Sequence, residues 1–322
     1  MQIELIREPV ADDLRRLDQV IVERLASDVV LVNQVAQYII GAGGKRLRPL
    51  SVLLAARACG YRGDHHVDTA AVIEFIHTAT LLHDDVVDGS DLRRGRDTAN
   101  HVFGNEASVL VGDYLYSRAF QMMVGLGDMR IQSIMADATN TISMGEVLQL
   151  MNAHDPDTTE ESYLEVIYRK TAKLFEAGAQ MAAVLAGAPP EVEQAMVDYG
   201  RHLGNAFQLV DDALDYRADR AELGKNLGDD LAEGKPTLPL IYALAHSSLE
   251  DTARLRVAVE EGGLADLEAV TRTIESSGGL EYTARLAQRE KDLAIEALGR
   301  LPESAHRQAL QALAEFAVGR SY

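Results

Sequence analysis

The residues best placed to do chemistry are two acidic clusters. Asp84-Asp85-Val86-Val87-Asp88 closes an apolar stretch running from about Ala70 to Leu82, and Asp211-Asp212-Ala213-Leu214-Asp215 closes another. On a helix, residues four apart lie on one face, so Asp84 and Asp88 point the same way. Thr80 and His77, one and two turns earlier, share that face. Like charges one turn apart repel by a few tenths of a kcal/mol, and no fold requires them. A hard divalent cation such as Mg²⁺, whose ligands are carboxylate oxygens, would account for the crowding. One such motif is an ordinary solvated helix end. Here there are two, with Arg93 and Arg94 beyond the first and Lys225 and Lys235 beyond the second. Acids to hold metal and bases to hold an anion describe a site for a Mg²⁺-bound diphosphate.

Other basic residues extend the pattern. Lys45, Arg46 and Arg48 follow Gly41-Ala42-Gly43-Gly44. This is no Walker A loop, because no Ser or Thr follows Lys45, but glycines let an anion approach the backbone while Lys and Arg supply charge. Lys170-Thr171 sits within a helical stretch, with Phe175 one turn on. Arg93 and Arg94 are adjacent, so on an extended backbone they face opposite sides and could serve two separate diphosphates.

Helices must position these groups. Apolar spacing of three and four predicts helices over Asp12–Tyr38, from near Leu50, over Val67–Asp88, Asn105–Leu126, Met129–Met151 and Thr159–Ala186, and from Pro190 through the second motif. Helical hairpins fill 238–318, broken at Gly262-Gly263, Gly278-Gly279 and Pro302. No alternating strand, low-complexity linker or repeat stands out. The expectation is one all-α domain over 1–322, a bundle of about a dozen mostly antiparallel helices around a central cavity.

Composition sets limits. With 47% hydrophobic residues the chain can bury a large core, and a net charge of −19 argues against nucleic acid as a partner. The lone cysteine, Cys59, excludes a disulfide framework and suits a reducing compartment. The acidic Met1–Arg16 segment has no signal-peptide core, and no apolar run reaches membrane-spanning length. A cytoplasmic protein is expected.

Taken together, Gly43-Gly44-Lys45-Arg46-Leu47-Arg48-Pro49, Asp84–Asp88 with Arg93-Arg94, Lys170-Thr171 and Phe207-Gln208-Leu209-Val210-Asp211-Asp212 resemble the trans-isoprenyl diphosphate synthases, over about residues 10 to 320. Ala107–Asp113, Gly145–Leu150 and Gly224-Lys225-Asn226 are most like the bacterial members that make C40 chains. The resemblance implies helices around a deep cavity and a homodimer. It implies condensation of isopentenyl diphosphate onto an allylic diphosphate, farnesyl diphosphate as starter, to about C40 for a respiratory quinone. Three Mg²⁺ per substrate-loaded site and transient membrane contact for product release also follow from it.

Carried over by position, Lys45, Arg48, His77 and Arg94 would bind isopentenyl diphosphate. Arg93, Lys170, Thr171, Gln208, Lys225 and Lys235 would bind the allylic diphosphate. Asp84, Asp88 and Asp211 would hold Mg²⁺, with Asp85, Asp212 and Asp215 supporting. Asp84, Asp85, Asp88, Arg93, Lys170, Asp211 and Lys225 would carry catalysis. Chain length would be set by Ala79 and Thr80, both small where short-chain members are usually aromatic, with Met122 and Met123 as candidates for a tunnel floor.

Competing readings are weaker. A non-catalytic regulatory subunit would not need the full set of acids and bases. A di-iron bundle needs Glu-x-x-His pairs, absent at both motifs, and a terpene cyclase has no use for Lys45 and Arg48. A geranylgeranyl or farnesyl diphosphate synthase is the alternative within the same chemistry.

Overall fold

The computed structural model describes residues 3–41, 43–93, 95–217, 228–262 and 266–319. Arg94 and Lys225 lie outside the described residues. The helices in chain order are α1 (Ile3–Arg7), α2 (Ala11–Leu25), α3 (Val30–Gly41), α4 (Leu47–Ala58), α5 (His65–Val87), α6 (Ala99–Phe103), α7 (Asn105–Leu126), α8 (Met129–Asn152) and α9 (Glu160–Ile167). There follow α10 (Lys173–Leu185), α11 (Pro190–Leu214), α12 (Asp229–Ala232), α13 (Leu238–His246), α14 (Leu249–Glu261), α15 (Leu267–Ser277), α16 (Gly279–Ala297) and α17 (Ala305–Val318).

Local chemistry sets the boundaries. Asp128 and Thr159 cap α8 and α9 through their side chains, each satisfying a backbone N–H that the first turn leaves free. Pro190 opens α11, where its missing N–H costs nothing, and Gly127 ends α7 in the left-handed region.

α5 is the axis of the bundle. Val72, Ile73, Phe75, Ile76, Ala79 and Leu82 are fully buried, because the helix packs against α7 on one side and α4, α2 and α10 on others. Each large apolar side chain so buried contributes about 1.5–3 kcal/mol. α11 lies against α10 and α16, and glycines bring it close. A Cβ on Gly200 would stand 2.6 Å from the Phe175 carbonyl oxygen, and one on Gly204 would run into Ala172. Both carriers of the acidic motifs are therefore held along their length, and each ends at the same cavity.

Three details differ from the sequence-based expectation. The helix expected over Asp12–Tyr38 is two, because the Asn33 side chain bonds both the N–H and the C=O of Ser27 and stabilises a turn there. The loop after the first motif contains a short antiparallel hairpin, β1 (Leu92–Arg93) with β2 (Arg96–Asp97), where no strand was expected. Two-residue strands are too short to show alternation. Lastly, the helix expected over Thr159–Ala186 is interrupted by a π-helical turn at Tyr168–Ala172.

Candidate active site

A cavity of about 870 Å³ opens between the ends of α5 and α11. Asp84 and Asp88 line it from α5 together with His77 and Thr80, as their helical spacing predicts, and Asp211, Gln208 and Phe207 line it from α11. Lys45 and Arg48 reach it from the start of α4, Arg93 from the hairpin, and Lys170 and Thr171 from the π turn. Most of the side chains singled out in the sequence thus share one chamber.

Cations already pair with the acids that line it. Lys170 Nζ stands 3.8 Å from Asp84 Oδ2, and Lys235 Nζ stands 2.9 Å from Asp88 Oδ2 and 2.5 Å from Glu233. Burial raises the Asp84 carboxyl above its usual range and Asp88 adds to that, while Lys170 opposes it. Burial alone would depress Lys235, but the charges of Asp88 and Glu233 raise it instead. A second basic group gathers opposite. Arg48 contacts His77 Nε2 at 3.1 Å and lies over the Phe175 ring at 4.8 Å, while Lys45 Nζ sits 5.0 Å from the centre of Phe316. Such cation–π contacts hold a charge in place without neutralising it.

The middle aspartate of each motif points elsewhere. Asp85 is fully buried, and its Oδ1 accepts from Arg93 Nε and Nη2 at 2.8 and 2.6 Å. Asp212 is buried too; it accepts from Tyr163 at 2.5 Å and from Gln208 Nε2 at 2.7 Å. Burial, reinforced by Asp230, pushes its pKa up to about 8. Asp215, also buried, accepts the N–H of Asp230 at 3.1 Å. Among the described residues no three acidic, His or Cys groups close on one point as a ready-made metal cage.

The chain-length candidates separate. Thr80 lines the cavity, whereas Ala79, Met122 and Met123 are buried in the apolar core beneath it.

Several site residues carried no role in the sequence reading. Glu146 and Gln149, one turn apart on α8, hold Lys170 Nζ at 2.6 and 2.7 Å. Burial and the nearby Asp84 push Glu146 up to about 7, against the pull of Lys170. Their i, i+3 spacing was the available signal. Gly145 permits this approach, since a Cβ there would stand 2.7 Å from the Arg169 Cβ. Phe316, Glu315 and Gly319 close the cavity from the far end of the chain, a placement that only tertiary packing decides.

The family model described as polyprenyl synthetase matches residues 29–275. The chain belongs to the polyprenyl synthetase family. It is 56% identical over 321 residues to the octaprenyl diphosphate synthase of Escherichia coli K12, covering 99% of each. Against the all-trans-nonaprenyl-diphosphate synthase (geranyl-diphosphate specific) of Rhodobacter capsulatus it is 48% identical over 316 residues, covering 98% of this chain and 97% of that one. Its fold superposes on a polyprenyl synthase from Caulobacter crescentus, crystallised with calcium and isoprenyl diphosphate, with a TM-score of 0.96 and 45% identity. That match covers 100% of this chain and 98% of the other.

Proposed function

We propose that this chain is a long-chain trans-polyprenyl diphosphate synthase, a prenyltransferase adding isopentenyl diphosphate units to an allylic diphosphate up to about C40. One observation carries the reading: both acidic motifs and both basic groups face one cavity. The 56% identity to an octaprenyl diphosphate synthase supports the length. Farnesyl diphosphate is the proposed starter and a respiratory quinone side chain the destination. A cytoplasmic site of action accords with the lone Cys59.

Asp84, Asp88 and Asp211 fit Mg²⁺, being oxygen donors facing the same chamber with lysines between them. The calcium in the Caulobacter relative is in keeping with a divalent ion here. We propose three ions per substrate-loaded site. When bound, the metal supplies charge that stabilises the departing diphosphate. Around it, Arg93, Lys170, Thr171, Gln208, Lys225 and Lys235 would bind and orient the allylic diphosphate, donating where negative charge grows as the C–O bond breaks. Lys45, Arg48, His77 and Arg94 would hold isopentenyl diphosphate with its double bond facing the allylic carbon. That double bond would attack the allylic carbon as its bond to diphosphate breaks, and the released diphosphate would take the proton lost from the isopentenyl unit. The walls of the chamber, including Leu81, Leu214 and Phe207, keep water from the cation.

Exposed apolar residues on α7 and α8, among them Leu110, Val147, Leu150 and Met151, support the proposed homodimer. Transient membrane contact for product release remains part of the proposal.

Incubating the protein with Mg²⁺, farnesyl diphosphate and labelled isopentenyl diphosphate, then sizing the dephosphorylated products, tests the reading. C40 products are expected. Thr80→Phe should still consume isopentenyl diphosphate but release much shorter chains, because its ring would enter the cavity directly. Ala79→Phe should shorten them too, at an additional cost of about 1–3 kcal/mol from overpacking the core. Absence of elongation by the unaltered protein would refute the function; unchanged lengths in both variants would refute the assigned tail path.

A further inference from the structure

Thr171 and Gln208 reach the cavity from different elements, the π turn and α11, yet both depend on a residue that does not line it. Tyr163 lies in the first turns of α9 and is buried among Ile167, Leu209 and Leu214. Its hydroxyl donates to Asp212 Oδ2 at 2.5 Å. The other carboxylate oxygen, Oδ1, accepts from Gln208 Nε2 at 2.7 Å. With its NH₂ given to Asp212, Gln208 turns its Oε1 the other way. That Oε1 accepts the Thr171 hydroxyl at 2.9 Å. The relay therefore runs Tyr163, Asp212, Gln208, Thr171, and ends at the cavity wall.

Neighbouring groups make the anchor necessary. Asp211, next in sequence, faces the cavity, and Asp230 and Lys235 border the small recess of about 160 Å³ on which Tyr163 and Asp212 also lie. Asp212 could swing toward Lys235, or toward metal held by Asp211, if nothing held it against α9. Tyr163 supplies that hold with a rigid ring and a single directed donor. The Tyr168–Ala172 π turn then sets Thr171 opposite Gln208; extra-wide turns of this kind are frequent at functional sites.

We propose that Tyr163 is a positioning residue for the allylic subsite: its hydroxyl holds Asp212 away from the cavity and thereby fixes Gln208 and Thr171. The proposal rests on the function proposed above, in which those two residues bind the allylic diphosphate. Tyr163→Phe removes one oxygen and leaves the ring in its slot. It should raise KM for the allylic diphosphate about five- to tenfold, while KM for isopentenyl diphosphate stays within twofold. Thr171→Val should do the same, and the double variant should be no worse than the more affected single variant, as for groups acting through one network. A merely structural tyrosine would change both KM values together or neither. Either of those results, or multiplied effects in the double variant, overturns the proposal. The unaltered protein, assayed alongside, reports separately on the function: elongation there with no allylic effect in Tyr163→Phe removes only the relay.

Discussion

The two acidic motifs share a sequence pattern but not an environment. At the end of α5, all three aspartates face cations: Lys170 approaches Asp84, Lys235 meets Asp88 and Arg93 grips Asp85. At the end of α11, Asp212 is held by two neutral donors, Tyr163 and Gln208, and Asp215 accepts a backbone N–H. Identical spacing thus yields one middle aspartate, Asp85, balanced by a cation, and another, Asp212, held by directed neutral donors. Asp84 and Asp88 can exchange their lysines for metal and diphosphate without stranding a charge. Asp212, by contrast, is held where it is by Tyr163 and Gln208.

The largest expected effect tests what the motifs have in common. Asp84→Ala and Asp211→Ala should each lower turnover by roughly a hundredfold or more, as expected when charge stabilisation at the reacting centre is lost. Both should fold normally, since removing one of several crowded carboxylates relieves repulsion. Circular dichroism and steady-state rates at saturating Mg²⁺ would check this. Near-normal turnover in one of them would mean that its motif holds no essential metal.

A smaller effect tests what separates them. Asp85→Asn leaves the Arg93 guanidinium in a buried setting without its counter-charge and should cost about 3–5 kcal/mol in stability. Asp212→Asn keeps a hydrogen-bonding side chain among neutral partners and should cost about 1 kcal/mol. Urea unfolding of the two variants gives the comparison. Equal losses would show that the motifs are balanced alike after all.

Much of this asymmetry was beyond the reach of the sequence, for identifiable reasons. Helical periodicity puts Asp84, Asp88, Thr80 and His77 on one face, and the structure has all four at the cavity. The same periodicity turns Asp85 about 100° away, but the sequence reading had it only supporting the metal; its burial and its partner Arg93 came from the packing. The ends of α5, α7, α8 and α11 were readable because caps, glycines and prolines act locally. The π turn that carries Lys170 and Thr171 was not. It depends on the bare backbones of Gly145 and Gly204 pressing on that turn from two sides, a condition set by tertiary packing. Glu146, Gln149 and Tyr163 were missed similarly, since each acts through a residue distant in sequence.

The smallest effect concerns protons. In the absence of metal, burial lifts Glu146 to about 7 and Asp212 to about 8, far above ordinary carboxylates. Between about pH 4 and those values the folded chain keeps protons that the unfolded chain has released. Stability then falls as pH rises, because the folded state binds more protons than the unfolded one. In EDTA, these groups should lower Tm as pH rises from 5 to 8. Mg²⁺ with inorganic diphosphate should raise Tm more at pH 8 than at pH 5, since ligand binding favours the ionised acids. Asp212→Asn removes one of the two groups and should flatten the EDTA profile, which differential scanning calorimetry would show. A slope unchanged by Asp212→Asn would mean that Asp212 is ionised throughout, and the second motif would then be as charged as the first.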